Sequence, residues 1–90
     1  MDNLKEPLDL IRHSLNSLVL IKCRHSRELK GKLLAFDAHL NMLLQDVEET
    51  YIDDSTKGAK LTRNIEALYM RGDTIITVSP LNKQNTNIAK

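Results

Sequence analysis

From Ser17 onward, the chain consists of short runs rich in Val, Ile and Leu that are separated by polar clusters. These runs lack a convincing apolar repeat every three or four residues, which an amphipathic helix would show. Short apolar runs that end in polar turn residues are typical of β-strands. The sequence therefore predicts a mainly β domain. We place antiparallel strands at about Leu18–Arg24, Glu28–Phe36, Met42–Thr50, Lys60–Met70 and Thr74–Ser79.

The two ends of the chain have different patterns. Near the start, apolar side chains recur at three- and four-residue spacing, at Leu4, Leu8, Ile11 and Leu15. Pro7 suits a first helical turn, where its missing N–H has no consequence, so we predict one short amphipathic helix over about residues 7–15. Residues 81–90 are polar and aperiodic. We expect them to form a flexible tail after a single domain of residues 1–80.

Gly31 constrains the shape of the predicted sheet. It falls inside the second strand, where a missing side chain weakens a flat strand but permits a sharp bend. Such a bend is needed to curl a five-stranded sheet into a small SH3-like barrel. We therefore expect a short N-terminal α-helix followed by a strongly bent antiparallel barrel. A chain this short buries only about 60–65% of its unfolded surface, so partner subunits would add stability.

Composition narrows the classes of protein to which the chain can belong. Apolar residues are 41% and charged residues 28%, as in folded globular domains, which excludes a disordered chain or a membrane span. The formal net charge of +1 lacks the basic excess of a protein that grips a duplex through many phosphates. Cys23 is the single cysteine and no signal peptide is evident, so we expect a reducing compartment, the cytosol or the nucleus.

The first candidate site is the segment D-A-H-L-N at residues 37–41, between two predicted strands. Aspartate and asparagine favour turns because their side chains bond nearby backbone amides, so a purely structural loop is one interpretation. In the functional interpretation, Asp37 fixes the loop, His39 offers a flat ring for stacking, and Asn41 offers a donor and an acceptor to a base edge. The residues alone leave both interpretations open.

The second candidate site is the segment R-G-D at residues 71–73, between two apolar runs. So short a connection predicts a tight hairpin in which Gly72 supplies a positive φ. Arg71 is either a solvated charge or a group that lays its guanidinium plane against a base or donates to phosphate. A cell-adhesion role for this tripeptide would need an extracellular protein, which the expected compartment argues against.

Two longer segments resemble the motifs of a known family. Residues 17–49 contain E-L-K-G-K-L and D-A-H-L-N-M-L-L-Q-D-V-E-E, which resemble the first Sm motif, and residues 68–78, L-Y-M-R-G-D-T-I-I-T-V, resemble the second. They cover most of the chain in the expected order, so the chain resembles the Sm-like (LSm) family. The runs E-P-L-D-L-I-R, H-L-N-M-L-L-Q-D-V-E-E-T and R-N-I are most similar to the third-subunit branch of the eukaryotic members.

The resemblance implies a fold and a base-binding site. The Sm fold has an N-terminal helix on a strongly bent five-stranded barrel, in agreement with the pattern described above. Transferred to this sequence, the RNA site of the family has His39 and Arg71 on either side of one base and Asn41 bonded to the edge of that base. Asp37 would hold Asn41 in place, and Gly72 would let the backbone approach. We expect no metal and no cofactor.

The resemblance also implies an assembly and its RNA targets. In this family, the fourth and fifth strands pair with those of neighbouring subunits, and a heteroheptameric ring closes without free sheet edges. These rings hold uridine-rich RNA 3′ ends: a nuclear form acts on U6 small nuclear RNA in pre-mRNA splicing, and a cytoplasmic form acts on deadenylated messenger RNA in its decay. We therefore expect Sm-like partner subunits, decapping factors as further partners, and a location in both nucleus and cytoplasm.

Other classes of protein stay open as alternatives. A structural ring subunit with a silent base pocket, or a homomeric Sm-like RNA binder, would carry the same motifs. An enzyme could use Asp37, His39 and Asp73 as metal ligands or acid–base groups, but the sequence lacks a complete nucleophile, base and orienting set. A peptide-binding SH3-like module needs an aromatic platform, and aromatic residues are only 3%. We predict a binding protein and not an enzyme.

The remaining charged residues have less definite interpretations. A basic run is interpreted as a solvated face, with phosphate contact as the alternative; it comprises Lys22, Arg24, His25, Arg27, Lys30 and Lys32. Three acidic residues of the third strand, Asp46, Glu48 and Glu49, fit either partner contacts or plain surface. The polar segment Ile52–Ala59 predicts an exposed loop between the third and fourth strands.

Overall fold

The computed structural model describes residues 7–53, 55 and 57–81. One helix, α1 (Pro7–Arg12), precedes the sheet. The strands are β1 (Leu18–Cys23), β2 (Arg27–Phe36), β3 (Met42–Ile52), β4 (Lys60–Met70) and β5 (Ile75–Pro80). All paired strands are antiparallel. The predicted mainly β architecture is therefore confirmed, and every predicted strand boundary lies within two residues of the observed one.

The helix ends earlier than the apolar spacing predicts. It stops at Arg12 and residues 13–16 form a turn, so the predicted end at residue 15 is wrong. The chain has to reverse here to enter β1: Asn16 adopts a left-handed φ of 65°, and its N–H donates to the carbonyl of Leu33. Leu15 still packs against the core from within this turn, which is why the apolar repeat continues past the helix. Leu4 lies outside the described residues.

The sheet has the strand order β4-β3-β2-β1-β5, so β4 and β5 are its two edges. They are nevertheless joined by residues 71–74 alone, three of which form a compact 3-10 turn. In a flat sheet the edges would be roughly 19 Å apart, which such a short turn cannot span. The sheet therefore curls into the predicted bent barrel. The predicted hairpin between β4 and β5 is wrong, because β5 pairs with β1 instead.

A bulge in β3, where Asp46 and Val47 together lie opposite Gly31 of β2, contributes to the curvature of the sheet. The pairing of β2 with β3 shifts register between Lys30 and Lys32, on either side of Gly31. On the facing strand, Asp46 has a positive φ of 54°. Gly31 is buried, and a Cβ at this position would lie 3.0 Å from Cγ2 of Val47. The predicted bend thus coincides with the bulge, and close packing against β3 explains why the position is occupied by glycine.

The hydrophobic core fills the inside of the barrel. Its buried side chains come from β1 to β4 and are Val19, Ile21, Cys23, Leu29, Leu33, Met42, Leu44, Val47 and Met70. Ile11 and Leu15 pack against this core from the helix and the turn that follows it. Burial raises the pKa of the Cys23 thiol, so this residue is a small packing side chain near neutral pH.

Two predicted segments lie partly outside the described residues. In the loop Ile52–Ala59, residues 54 and 56 are outside, and the described residues 55 and 57–59 are exposed. Of residues 81–90, only Leu81 is described; its N–H donates to the carbonyl of Leu18 and extends the pairing of β5 with β1. Within the described ranges, no helix is long and apolar enough to cross a membrane.

Candidate functional site

The two candidate segments meet at one end of the barrel. Met42, the first residue of β3, pairs with Met70, the last residue of β4. The loop of residues 37–41 leads into β3, and the turn of residues 71–74 leaves β4. The antiparallel pairing of these two strands therefore brings the loop and the turn together, although 31 positions separate Asn41 from Gly72 along the chain.

Asp37 organises the first of these segments. Its Oδ1 accepts hydrogen bonds from the backbone N–H groups of His39 (2.8 Å) and Asn41 (3.0 Å). Its Oδ2 accepts a bond of 3.0 Å from Nδ2 of Asn41. The bond from the Asn41 side chain, supported by the two backbone bonds, lowers the pKa of Asp37. The group is therefore a carboxylate near neutral pH, and it fixes both the loop backbone and the amide of Asn41.

Asn41 connects the loop to the turn. Its Oδ1 accepts a hydrogen bond of 2.8 Å from the backbone N–H of Gly72. A side-chain amide has two N–H groups and two oxygen lone pairs, so one of each remains after the bonds to Asp37 and Gly72 are made. Because those two bonds hold opposite ends of the amide, Asn41 presents its remaining donor and acceptor in a fixed orientation.

Gly72 is needed for space and not for its backbone angle. Among the described residues, Gly58 is the glycine with a positive φ, so the positive φ predicted for Gly72 is wrong. Gly72 begins the 3-10 turn Gly72–Thr74, and a Cβ there would lie 1.9 Å from the carbonyl oxygen of His39. The same Cβ would lie 2.9 Å from the carbonyl carbon of Leu40. Only a residue without a side chain lets the two backbones approach this closely.

An open cavity of about 490 Å³ lies at this junction and is lined by His39, Asn41, Arg71, Gly72 and Asp73. We call it the loop cavity. The Arg71 side chain is 72% exposed, and its Nη2 donates a bond of 3.0 Å to Oδ2 of Asp73, which raises the pKa of Arg71. The cavity thus offers an imidazole ring, a planar cation and an oriented amide. This set suits a flat heteroaromatic ligand with polar edges.

The structure therefore brings the predicted site residues into one cluster. His39, Asn41, Arg71 and Gly72 line the loop cavity, and Asp37 supports it from behind through its bonds to Asn41. Their role in RNA binding stays a prediction at this point. The described ranges contain no group of three or more His, Cys, Asp or Glu side chains that could hold a metal ion.

Sequence analysis did not identify a buried carboxylate in β3. The Glu49 side chain is 3% exposed, with Nε of Arg27 2.5 Å from its Oε2 and Nε of Arg63 2.7 Å from its Oε1. Burial alone would raise the pKa of Glu49, but the bonds from Arg63 and Arg27 outweigh it and lower that pKa. The interpretation of Glu49 as surface is wrong. Strand alternation is the signal that could have found it, because Val47, two residues earlier, faces the core.

A family model described as the LSM domain matches residues 9–80, which is most of the chain. The chain belongs to the LSM family. This finding confirms the family that the two Sm-like motifs predict.

Relatives within the LSM family carry third-subunit names. Sm-like protein LSM3B of Arabidopsis thaliana is 55% identical, and the match covers 84% of this chain and 85% of that protein. The Dictyostelium discoideum protein named probable U6 snRNA-associated Sm-like protein LSm3 is 49% identical, with coverage of 84% and 86%. LSM complex subunit lsm3 of Schizosaccharomyces pombe is 45% identical, with coverage of 83% and 88%. The predicted resemblance to the third-subunit branch agrees with these names.

Solved structures of archaeal Sm proteins have the same fold as this LSM chain. A Pyrococcus abyssii Sm protein in complex with a uridine heptamer matches with a TM-score of 0.70 and 32% identity, over 84% of this chain and 99% of that one. A heptameric archaeal Sm protein matches with a TM-score of 0.68 and 32% identity, over 82% and 98%. The predicted Sm fold is therefore confirmed.

Proposed function

We propose that this protein is a non-enzymatic subunit of a ring of LSM-family chains that binds uridine-rich RNA through the loop cavity. The observation that carries the proposal is the amide of Asn41, which Asp37 and Gly72 hold in one orientation beside His39 and Arg71. An archaeal protein of the same fold forms a complex with a uridine heptamer, which supports the choice of ligand.

The chemistry of the loop cavity matches one RNA base. His39 and Arg71 would stack on the two faces of the base, since an imidazole ring and a guanidinium plane both pack on aromatic rings. The remaining N–H of Asn41 would donate to a carbonyl oxygen of uracil, and the remaining lone pair would accept from the ring N–H. Stacking is worth about 1–3 kcal/mol per base, so one cavity binds weakly and several linked cavities bind usefully.

The edges of the sheet support assembly into a ring. β4 and β5 each lack a pairing partner on one side within the described sheet. Each also exposes a large apolar side chain: Tyr69 of β4 is 63% exposed and Ile76 of β5 is 62% exposed. Unpaired edges with exposed apolar residues favour association with another strand. Pairing of β4 with β5 of the next subunit would cover both edges, and repetition of this contact closes a ring.

We further propose that the ring is a heteroheptamer with two sets of targets. Relatives named as U6 snRNA-associated and as an LSM complex subunit support binding to the 3′ end of U6 small nuclear RNA, in pre-mRNA splicing in the nucleus. The family resemblance extends the proposal to deadenylated messenger RNA in the cytoplasm, where the ring would act with decapping factors in decay.

Base recognition is tested with variants of the loop cavity in the assembled protein. Asn41→Ala and Arg71→Ala should each weaken binding of a uridine oligonucleotide by about 1–3 kcal/mol and leave assembly intact. Arg12→Ala is a matched control, because Arg12 is also exposed and also pairs with a nearby carboxylate, that of Asp9. Unchanged RNA affinity in both cavity variants would instead favour a structural subunit with a silent pocket.

Partners and activity are tested on material purified through a tag on this chain from its own cells. Mass spectrometry and RNA sequencing should find other LSM chains, U6 RNA and decapping factors. Recovery of this chain alone, or only with copies of itself, would contradict the heteroheptamer and leave a homomeric RNA binder. Turnover of uridine-rich RNA by the purified assembly, or a stoichiometric metal ion, would contradict the non-enzymatic role.

A further inference from the structure

A second and larger cavity adjoins the loop cavity. Its volume is about 720 Å³, and Asp73 lines both cavities. Its wall also includes Arg24 of the β1–β2 turn, and Arg27, Tyr51 and Arg63 of β2, β3 and β4. Because three arginines line it, we call it the arginine cavity. Asp73 belongs to the turn that follows β4, so the two cavities meet at this turn.

The Glu49 ion pairs leave donor groups free in the arginine cavity. Arg27 and Arg63 each bond Glu49 through Nε, and their terminal nitrogens bond no other described residue. A guanidinium group has five N–H donors, so most donors of both side chains remain available. The guanidinium of Arg63 also lies 5.1 Å from the ring centroid of Tyr51, which helps to hold it in place. The two guanidinium groups are therefore held in position before any ligand arrives.

The charges of this cavity favour an anion. Two guanidinium cations surround the single carboxylate of Glu49, which leaves one positive charge in excess. Arg24 adds a second, because it forms no ion pair with any described residue. The other carboxylate of the wall, that of Asp73, is already bonded to Arg71. Guanidinium groups match phosphate in shape as well as charge, because two parallel N–H bonds fit two phosphate oxygens.

We propose that the arginine cavity binds a backbone phosphate of the RNA strand that leaves the loop cavity. The proposal rests on the proposed RNA binding and extends it beyond the base-binding cavity. The terminal nitrogens of Arg27 and Arg63, together with Arg24, would donate to the phosphate oxygens. The boundary shared with the loop cavity favours RNA over an acidic protein segment, because one RNA strand can occupy both cavities at once.

Arg24 provides the cleanest test, because it lines the arginine cavity without holding Glu49. Arg24→Ala is compared with Lys22→Ala, which removes the same charge from an exposed residue of the same segment that does not line the cavity. The readout is the affinity of the assembled protein for a uridine oligonucleotide of about ten residues, measured over a range of salt concentrations. Arg71→Ala is measured in parallel to test the loop cavity separately.

Loss of one phosphate contact on single-stranded RNA should flatten the plot of log affinity against log salt by about 0.7. If Arg24→Ala and wild type bind equally at a reference of 1 M salt, this change in slope makes the variant bind about fivefold more weakly than wild type at 0.1 M salt. If Arg24→Ala and Lys22→Ala give equal slopes of log affinity against log salt, the phosphate site is overturned. This holds even if Arg71→Ala weakens binding and so supports base binding in the loop cavity. Loss of a protein partner from Arg24→Ala with RNA affinity unchanged would overturn it in favour of an acidic protein. A wild-type assembly that binds no uridine RNA would overturn both proposals.

Discussion

Replacing Gly72 with alanine should break the contact that builds the loop cavity. The added Cβ would lie 1.9 Å from the carbonyl oxygen of His39, whereas ordinary contacts begin near 3.4 Å, so the turn has to retreat by about 1.5 Å. A shift of this size also breaks the 2.8 Å bond from the Gly72 N–H to Asn41. Overpacking costs about 1–3 kcal/mol and a lost hydrogen bond costs about 0.5–1.5 kcal/mol. We expect a total loss of about 2–4 kcal/mol in the free energy of unfolding.

The assay is thermal unfolding at a fixed protein concentration, followed by RNA binding of the folded fraction. A loss of this size should lower the melting temperature by about 8 °C or more, since 1 kcal/mol corresponds to about 4–8 °C in a domain of this length. Gly58→Ala is the control: its φ of +85° is strained for alanine, but a Cβ there would meet nothing within 4 Å. It should lower the melting temperature less and leave RNA affinity unchanged. If Gly72→Ala melts no lower than Gly58→Ala, the steric explanation is refuted.

The remaining predictions concern β2 and β3. Glu49→Gln should destabilise the fold by about 1–3 kcal/mol in urea unfolding, because Arg27 loses its buried anion, while Glu48→Gln at an exposed pair should cost less than about 0.5 kcal/mol. Because the pKa of Glu49 is lowered in the folded state, its carboxylate stabilises the fold fully above the unfolded-state pKa of about 4.3. This stabilisation is lost as the pH falls through the folded-state pKa. The difference in free energy of unfolding between wild type and Glu49→Gln should therefore shrink below about pH 4. Gly31→Val should lower stability by about 1–3 kcal/mol, because even its Cβ would meet β3 at 3.0 Å. An unchanged melting temperature for Gly31→Val would argue against the packed bend.

The strands were predictable because their signals are local. Alternating apolar residues and polar turns depend on neighbours in the sequence, and the predicted bounds agree with β1 to β5 within two residues. The helix end was not predictable from the same kind of pattern. Leu15 keeps the apolar spacing while the backbone already turns at Asn16, whose left-handed φ follows from its bond to Leu33 on a different element.

The candidate site was only partly predictable, because its residues act through contacts between distant segments. The motifs identified Asp37, Asn41 and Gly72, but the turn pattern assigned the glycine to a positive φ that the structure does not have. A sequence shows only that a side chain is missing; whether the reason is a backbone angle or a neighbour at 1.9 Å depends on which strand lies alongside. The same limit applies to the partners of Glu49: strand alternation could have indicated its burial, but not its pairing with Arg27 and Arg63 of the two flanking strands.

The pairing of Met42 with Met70 makes the loop cavity a product of completed folding. Its two halves are distant in the chain, so neither an early hairpin of β2 and β3 nor the turn before β5 contains it alone. A slip of one residue between β3 and β4 would turn every side chain of the slipped strand to the opposite face and separate Asn41 from Gly72. Under the proposed function, RNA affinity would therefore report on strand register, and a chain that is misfolded or still being synthesised would not compete with mature subunits for RNA.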